Sequence, residues 1–268
     1  IKGWVNEFDI DGLRLDVAYC LNHDFLRRLR SFCDSLKPDF FLLGETLHGD
    51  YNQIMNDEML HSVTNYECYK GLYSSFNCMN MFEINHSLLR QFGPENWTLY
   101  KGKHLLSFVD NHDVTRVASI LNNANHLPLI YTLAFGMPGI PCVYYGSEWG
   151  ATGRKEDGDP ALRVSFDTPV WNDLTTFISK LAVAKKSSNA LNYGSFSSIV
   201  LTNEQCIFRR QYNDERVLVA INASEQPYFA SFNIGTDTCT DLISGSEIKL
   251  NNGMELPGYS SFILQPFS

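Results

Sequence analysis

Three carboxylates follow short apolar runs in this 268-residue sequence. Asp16 lies in the segment DGLRLDVA, Glu45 in LLGET and Asp113 in FVDNHD. A carboxylate can attack an electrophilic carbon when it is ionised, and a carboxylic acid can donate a proton. Two carboxyl groups in different environments can therefore divide the roles of nucleophile and general acid. Taken singly, each segment is more often a buried ion pair, a turn or a helix cap.

The surroundings of the first two carboxylates differ as this chemistry requires. Arg14 and Asp16 are two residues apart, so they share one face of a strand, and the guanidinium favours the ionised carboxylate. Glu45 follows the apolar run FFLLG, where a carboxyl group is partly desolvated and faces other carboxylates. Both effects favour the protonated form that a proton donor needs.

Alternating strands and helices must position these groups. Short apolar runs are followed by segments with helical spacing, such as His23–Leu36 and Trp171–Lys186, and Ile1–Phe8 resembles the end of an amphipathic helix. The alternation predicts right-handed βαβ crossovers and a parallel sheet covered by helices. The predicted strands are Leu13–Val17, Phe40–Leu43, Ser62–Asn65, His104–Val109 and Ile140–Tyr144.

In parallel α/β proteins the reactive side chains lie at the carboxyl ends of the strands. We therefore expect the polar residues that end the predicted strands to converge at one edge of the sheet. The residues that end the first, second and fourth strands are Arg14 and Asp16, then Glu45, then Asn111, His112 and Asp113.

The sequence pattern changes after Asn189. Short runs of alternating polarity, such as SFSSIVLT, QCIFRRQYN and RVLVAINAS, are separated by Asn, Asp, Gly and Pro. This pattern is typical of an antiparallel sandwich. The chain is therefore predicted to contain an α/β unit at residues 1–189 and an all-β unit at residues 190–268.

Composition and charge exclude several classes of protein. The chain is 44% hydrophobic with a net charge of −9, so it can bury a core and repels nucleic acid and anionic lipid. The segment Leu127–Gly146 is uncharged, but its prolines and glycines indicate a buried helix and strand rather than a membrane span. Seven scattered cysteines without a CxxC pair predict free thiols, no zinc site and a cytoplasmic location.

Together, these segments resemble the α-amylase family of retaining glycoside hydrolases. DGLRLDVA resembles the family motif around the nucleophile, LLGET the motif around the general acid/base, and FVDNHD the motif around the third carboxylate. GIPCVYYGSEWG resembles the final barrel strand, and the following DPALR resembles a segment that lines the glucose pocket. The resemblance implies the C-terminal part of a (β/α)8 TIM barrel, strands 4 to 8, followed by an antiparallel β-sandwich.

The resemblance also implies roles for individual residues. Asp16 would attack the anomeric carbon, Glu45 would protonate the departing oxygen, and Asp113 would bind hydroxyls of the distorted sugar. In retaining enzymes the nucleophile and the acid/base lie about 5 to 5.5 Å apart. The residues expected to bind the substrate are Arg14, Asn111, His112, His48 and Arg163. Trp149 is expected to be a packed aromatic rather than a sugar platform.

This sequence departs from the family pattern in two respects. The tract that precedes the nucleophile motif in the family supplies three barrel strands, sugar-binding groups and, in many members, a calcium ligand. We therefore expect no metal site in these residues, a calcium ion only in a full-length enzyme, and no activity from this fragment alone. Tyr19 and Cys20 replace the residue pairs of the main subfamilies, while His48 and the segment His23–Phe25 favour the neopullulanase and cyclomaltodextrinase group.

Three functions remain open from the sequence. The first is hydrolysis of α-1,4-glucans or maltooligosaccharides, and the second is transglycosylation on the same scaffold. The third is a non-catalytic partner subunit, which would have no need of all three carboxylates. The expected partners are an α-glucan or maltooligosaccharide, and either an upstream barrel half or a second copy of the chain to cover the open strands.

Overall fold

Five parallel strands form the first part of the structure, a computed structural model that describes residues 1–267. The first three strands pair in chain order, and so do the last two. A parallel bridge between Thr64 and Leu106 joins the two groups. Among the described residues, the first and the fifth strand each have one edge without a partner. The strands are β1 (Gly12–Leu15), β2 (Phe41–Gly44), β3 (Ser62–Val63), β4 (Leu106–Phe108) and β5 (Ile140–Cys142).

Helices separate and cover these strands. In the segment His23–Leu36, the side chain of Asn22 caps the helix by accepting from the Phe25 amide, and apolar residues at helical spacing are buried. The helix predicted over these residues is confirmed. The helices are α1 (Lys2–Phe8), α2 (His23–Leu36), α3 (Tyr66–Asn77), α4 (Met81–Phe92), α5 (Val117–Ile120), α6 (His126–Gly136), α7 (Asp159–Leu162), α8 (Asp173–Ser187) and α9 (Asn189–Tyr193).

The uncharged segment Leu127–Gly146 forms the buried helix α6 and then strand β5. Its prediction as a helix followed by a strand is confirmed, since α6 is buried along most of its length. No helix within residues 1–267 is long and apolar enough to cross a membrane.

The last part of the chain is antiparallel. Six strands form one sheet in the order β11-β10-β13-β8-β7-β6, and β12 pairs with β9. One face of the larger sheet packs on the helices, and the other forms a second core beneath the smaller sheet. The strands are β6 (Ser195–Leu201), β7 (Gln205–Tyr212), β8 (Glu215–Asn222), β9 (Tyr228–Ser231), β10 (Thr238–Asp241), β11 (Glu247–Lys249), β12 (Gly253–Leu256) and β13 (Ser260–Pro266).

The five strands predicted for the first part differ from the observed ones by up to two residues at each end. Strand β1 ends at Leu15 rather than at Val17, because Val17 has a left-handed backbone with φ of 47°. In the last part, the run DLISGSEIKL (Asp241–Leu250) also has the alternating pattern that predicts a strand, but it contains only the end of β10 and the short β11. No sequence pattern predicted β12. Strand β12 is only four residues long and directly follows Asn251 and Asn252. Its sequence therefore reads as the continuation of a turn rather than as a strand.

Candidate active site

The carboxyl ends of β1 and β2 hold Asp16 and Glu45 next to each other. The Glu45 amide donates to the Leu15 carbonyl at 2.8 Å, and the Ala18 amide donates to the Glu45 carbonyl at 2.9 Å. A side chain on Gly44 would overlap Ala18 and Leu60, so only glycine allows this close approach. The backbone of the two strand ends therefore sets the relative position of the two carboxylates.

Arg14 contacts both carboxylates. One terminal nitrogen of its guanidinium lies 2.5 Å from Asp16 Oδ1, and the other lies 3.0 Å from Glu45 Oε1. Asp16 is 72% exposed, whereas Glu45 is 7% exposed. The sequence predicted the contact with Asp16 and the desolvation of Glu45, but not that one arginine would bridge the two. Asp16 is thus open to a substrate, and Glu45 lies deeper.

Val17 supplies a further contact to Glu45. Its amide donates to Glu45 Oε2 at 3.0 Å, and its backbone has a positive φ of 47°. A β-branched residue rarely adopts this conformation, because its side chain crowds the backbone. Strain at this position therefore accompanies the alignment of Glu45.

The third carboxylate, Asp113, lies after β4 between two basic side chains. His112 Nε2 is 3.1 Å from Asp113 Oδ2, and Arg163 Nη2 is 3.4 Å from Asp113 Oδ1. The side chain of Asn111 accepts from the Asp113 amide at 2.8 Å and donates to the Tyr66 hydroxyl at 2.8 Å. Asn111 therefore shapes the turn that carries Asp113.

Tyr66, which no sequence pattern identified, supports the turn that carries Asp113. It begins α3, directly after β3, and its hydroxyl accepts from Asn111. Burial raises the pKa of Tyr66, and the charges of Glu45 and Asp113 raise it further, while the bond from Asn111 lowers it. The sequence signal was its position after the third strand, whose end was not among those considered.

His48 and Trp149 line two separate depressions in the surface. His48 is exposed, packs on Tyr19 with ring centroids 5.2 Å apart, and lines a depression of about 210 Å³. Trp149 is half-buried against Phe166 with ring centroids 5.1 Å apart, and it lines a groove of about 500 Å³ that reaches Arg163. Because Arg163 also contacts Asp113, the groove beside Trp149 adjoins the candidate site.

Asp110 lies beneath the site and is almost fully buried. Its Oδ2 accepts from the Val117 amide at 2.8 Å and from Ser147 Oγ at 2.7 Å. Burial raises the pKa of Asp110 to about 6, although these bonds and the nearby Arg116 charge oppose the shift. The sequence analysis did not single out Asp110, because it precedes the motif residues Asn111 to Asp113.

We expect the Asp110 carboxyl to make stability depend on pH. Its pKa in the folded protein lies above the ordinary value of about 3.9, so the folded protein binds more protons between about pH 4 and 6. The free energy of unfolding should therefore fall as pH rises through this window. Asp110→Asn removes this titration. Between pH 4 and pH 7, the free energy of unfolding of the variant should therefore rise by roughly 2 kcal/mol relative to that of wild type. Urea unfolding at several pH values measures this, and parallel curves would contradict it.

Within residues 1–267, no group of three or more His, Cys, Asp or Glu side chains is arranged to hold a metal ion. The calcium ligand that the resemblance implied belongs to the tract before the nucleophile motif.

Two family profiles match the chain. The α-amylase catalytic domain profile matches residues 1–186, and the profile of the maltogenic amylase C-terminal domain matches residues 200–263. A cyclomaltodextrinase from Thermoanaerobacter pseudethanolicus is 27% identical over 98% of this chain and 46% of its own length. A maltogenic α-amylase from Bacillus acidopullulyticus is 30% identical over 94% of this chain and 44% of its own length. The chain thus spans less than half the length of these two relatives.

A solved structure shows the same architecture. The crystal structure of an Anoxybacillus α-amylase superimposes on the whole chain with a TM-score of 0.83 at 25% identity, and the chain covers 61% of it. The predicted fold is confirmed: β1 to β5 are strands 4 to 8 of a (β/α)8 barrel, and an antiparallel β-sandwich follows. The chain therefore belongs to the α-amylase family of glycoside hydrolases.

Proposed function

We propose that this chain carries the nucleophile, the general acid/base and the third carboxylate of a retaining glycosidase that cleaves α-1,4-glucosidic bonds. The substrates are starch-type glucans or maltooligosaccharides. The names of the cyclomaltodextrinase and maltogenic amylase relatives support this class of substrate.

The reaction has two displacements. Asp16 attacks the anomeric carbon and forms a glycosyl ester, while Glu45 gives its proton to the departing glycosidic oxygen. Glu45, now a carboxylate, takes a proton from water, and the water oxygen displaces Asp16 from the same carbon. Asp113 binds hydroxyls of the sugar that distorts between the two states. Two inversions leave the product in the α configuration.

The observation that carries this proposal is the bridge that Arg14 forms between Asp16 and Glu45. The Arg14 guanidinium and the Val17 amide contact the two oxygens of Glu45, which is a carboxylate after proton donation. That carboxylate is then ready to act as the base of the second step. His112 and Arg163 are proposed to orient Asp113 and the hydroxyls of the same sugar.

The stereochemistry of the first product tests the proposal. A form of the protein in which both outer barrel strands are paired should cleave maltoheptaose and release the α-anomer first, before mutarotation. Proton NMR recorded within the first minutes distinguishes the α-anomer from the β-anomer. Early β-anomer would contradict the nucleophilic role of Asp16.

The same digest separates hydrolysis from the alternative reaction. If every product is shorter than maltoheptaose and each cleaved bond adds one reducing end, the glycosyl group is transferred to water. Oligomers longer than maltoheptaose would instead indicate transfer to a sugar hydroxyl, as in a transglycosylase. A correctly folded protein without any turnover would favour the non-catalytic partner subunit.

We also propose the division of the chain and its location. A boundary between residues 189 and 190 is supported by the two family profiles, which match residues 1–186 and 200–263. A cytoplasmic location is supported by the seven free cysteines, of which Cys20 and Cys78 are exposed. Exposed thiols persist most readily in a reducing compartment.

A further inference from the structure

Arg116 is a fully buried arginine three residues after Asp113. Within residues 1–267, no carboxylate oxygen lies within ion-pair distance of its guanidinium. One terminal nitrogen donates to the Tyr145 carbonyl at 2.8 Å and to Ser147 Oγ at 3.1 Å, and the other donates to the Leu162 carbonyl at 3.1 Å. Burial of a charge is costly, so these contacts must stabilise it.

Aromatic rings complete the surroundings of this guanidinium. The ring centroids of Tyr144, Tyr145 and Phe166 lie 4.7, 5.3 and 5.8 Å from its central carbon. A planar cation packs well on aromatic faces, and a lysine could not reach the two carbonyls and the rings together. The position therefore requires arginine in particular.

The two carbonyls belong to opposite ends of one segment, residues 145–163, which we call the return loop. The middle of the return loop is held from the same place on the chain. The Arg116 amide donates to the Gly153 carbonyl at 2.9 Å, and Thr115 Oγ1 accepts from the Lys155 amide at 3.0 Å. Residues 115 and 116 thus contact the beginning, the middle and the end of the return loop.

The last residue of the return loop is Arg163, whose guanidinium lies 3.4 Å from Asp113. The Tyr144 hydroxyl donates to the Leu162 carbonyl at 3.1 Å, which supports the same end of the loop. We propose that Arg116 is a positioning residue: it clamps the return loop and thereby places Arg163 against Asp113. The expected effect on activity rests on the proposed function, because it requires Asp113 to bind substrate. The contacts between Arg116 and the return loop do not depend on that function.

Limited proteolysis of the 268-residue chain tests the clamp and does not require the chain to be catalytically active. The return loop contains Arg154 and Lys155, both exposed and both recognised by trypsin. In Arg116→Met the loop loses its anchors, so cleavage after these two residues should become at least tenfold faster than in wild type. Arg116→Lys keeps the charge but not the paired contacts, so its rate should lie between the two.

Arg210→Met is the matched control. Arg210 is also fully buried and also donates to backbone carbonyls, those of Gly136 and Gly194, but it lies on β7 in the antiparallel part. Both methionine variants should lower the melting temperature, so each digestion is run at the same interval below it. Equal acceleration of loop cleavage in both variants, or none in Arg116→Met, would overturn the clamp.

A double-substitution cycle tests the link to Asp113 in a form that cleaves maltoheptaose. Arg163→Met and Arg116→Met should each lower kcat/KM by about tenfold to a hundredfold, because a small misplacement at the site is costly. The double variant should be no worse than Arg163→Met, since both remove the same contact. Multiplicative losses would overturn the positioning role even if the loop is released. A wild type without turnover would instead refute the proposed function, and the trypsin result alone would then decide the clamp.

Discussion

Asp16→Asn and Glu45→Gln are each expected to lower kcat by about 10⁴-fold or more in a form of the protein with a complete barrel. Without Asp16 no glycosyl ester can form, and without Glu45 the departing oxygen leaves unprotonated. Losses of this size are typical when a nucleophile or its proton-transfer partner is removed. Release of reducing sugar from maltoheptaose measures the effect.

Both variants should keep their fold. Asp16 is largely exposed, so loss of its ion pair with Arg14 costs little stability. Glutamine at position 45 retains an oxygen that can accept from the Val17 amide. Asp24→Asn is the matched control, because Asp24 is an exposed carboxylate paired with Arg27 and lies outside the site. A variant at position 16 or 45 with even a tenth of wild-type activity would contradict the assignment.

The 268-residue chain alone is expected to release no reducing sugar from maltoheptaose. A closed barrel has no strand edges, whereas β1 and β5 each have an edge that no strand covers among the described residues. Large apolar side chains beside β1 are also exposed: Trp4 and Phe8 on α1 are 55% and 63% exposed, and Phe25 and Phe32 on α2 are 50% and 45% exposed. The sugar would therefore lack both a complete site and a rigid frame.

A complementation assay measures this expectation. The chain is assayed with and without a co-expressed segment that supplies three further barrel strands, and activity should appear only with it. Sedimentation of the chain alone shows whether a second copy covers the open edges instead. Full activity from the isolated monomer would show that five strands are sufficient.

The sequence predicted the positions of the groups better than their environments. Each strand end fell within a few residues of its observed place, because apolar runs and polar ends are local signals. The exposure of Asp16 and the bridging contact of Arg14 could not be predicted, since both depend on how two distant strand ends meet. Arg14 was assigned to one carboxylate because only one is close to it in sequence.

Buried polar residues were the main group that the sequence did not reveal. Tyr66, Asp110 and Arg116 resemble ordinary helix or loop residues, and only the folded structure shows their partners. Their contacts span up to 46 residues, as between Arg116 and Leu162. Patterns of strand and helix carry no information about such pairs, whereas the carboxylates were found through their motifs.

Because Val17 has a left-handed backbone, a substitution that stabilises the fold at this position is expected to lower turnover. Such a conformation costs a β-branched residue roughly 1–3 kcal/mol, whereas glycine or asparagine adopts it readily. A selection for heat resistance alone would therefore favour Val17→Gly. The freed backbone would hold the amide less firmly against Glu45, so the same selection would trade turnover for a higher melting temperature.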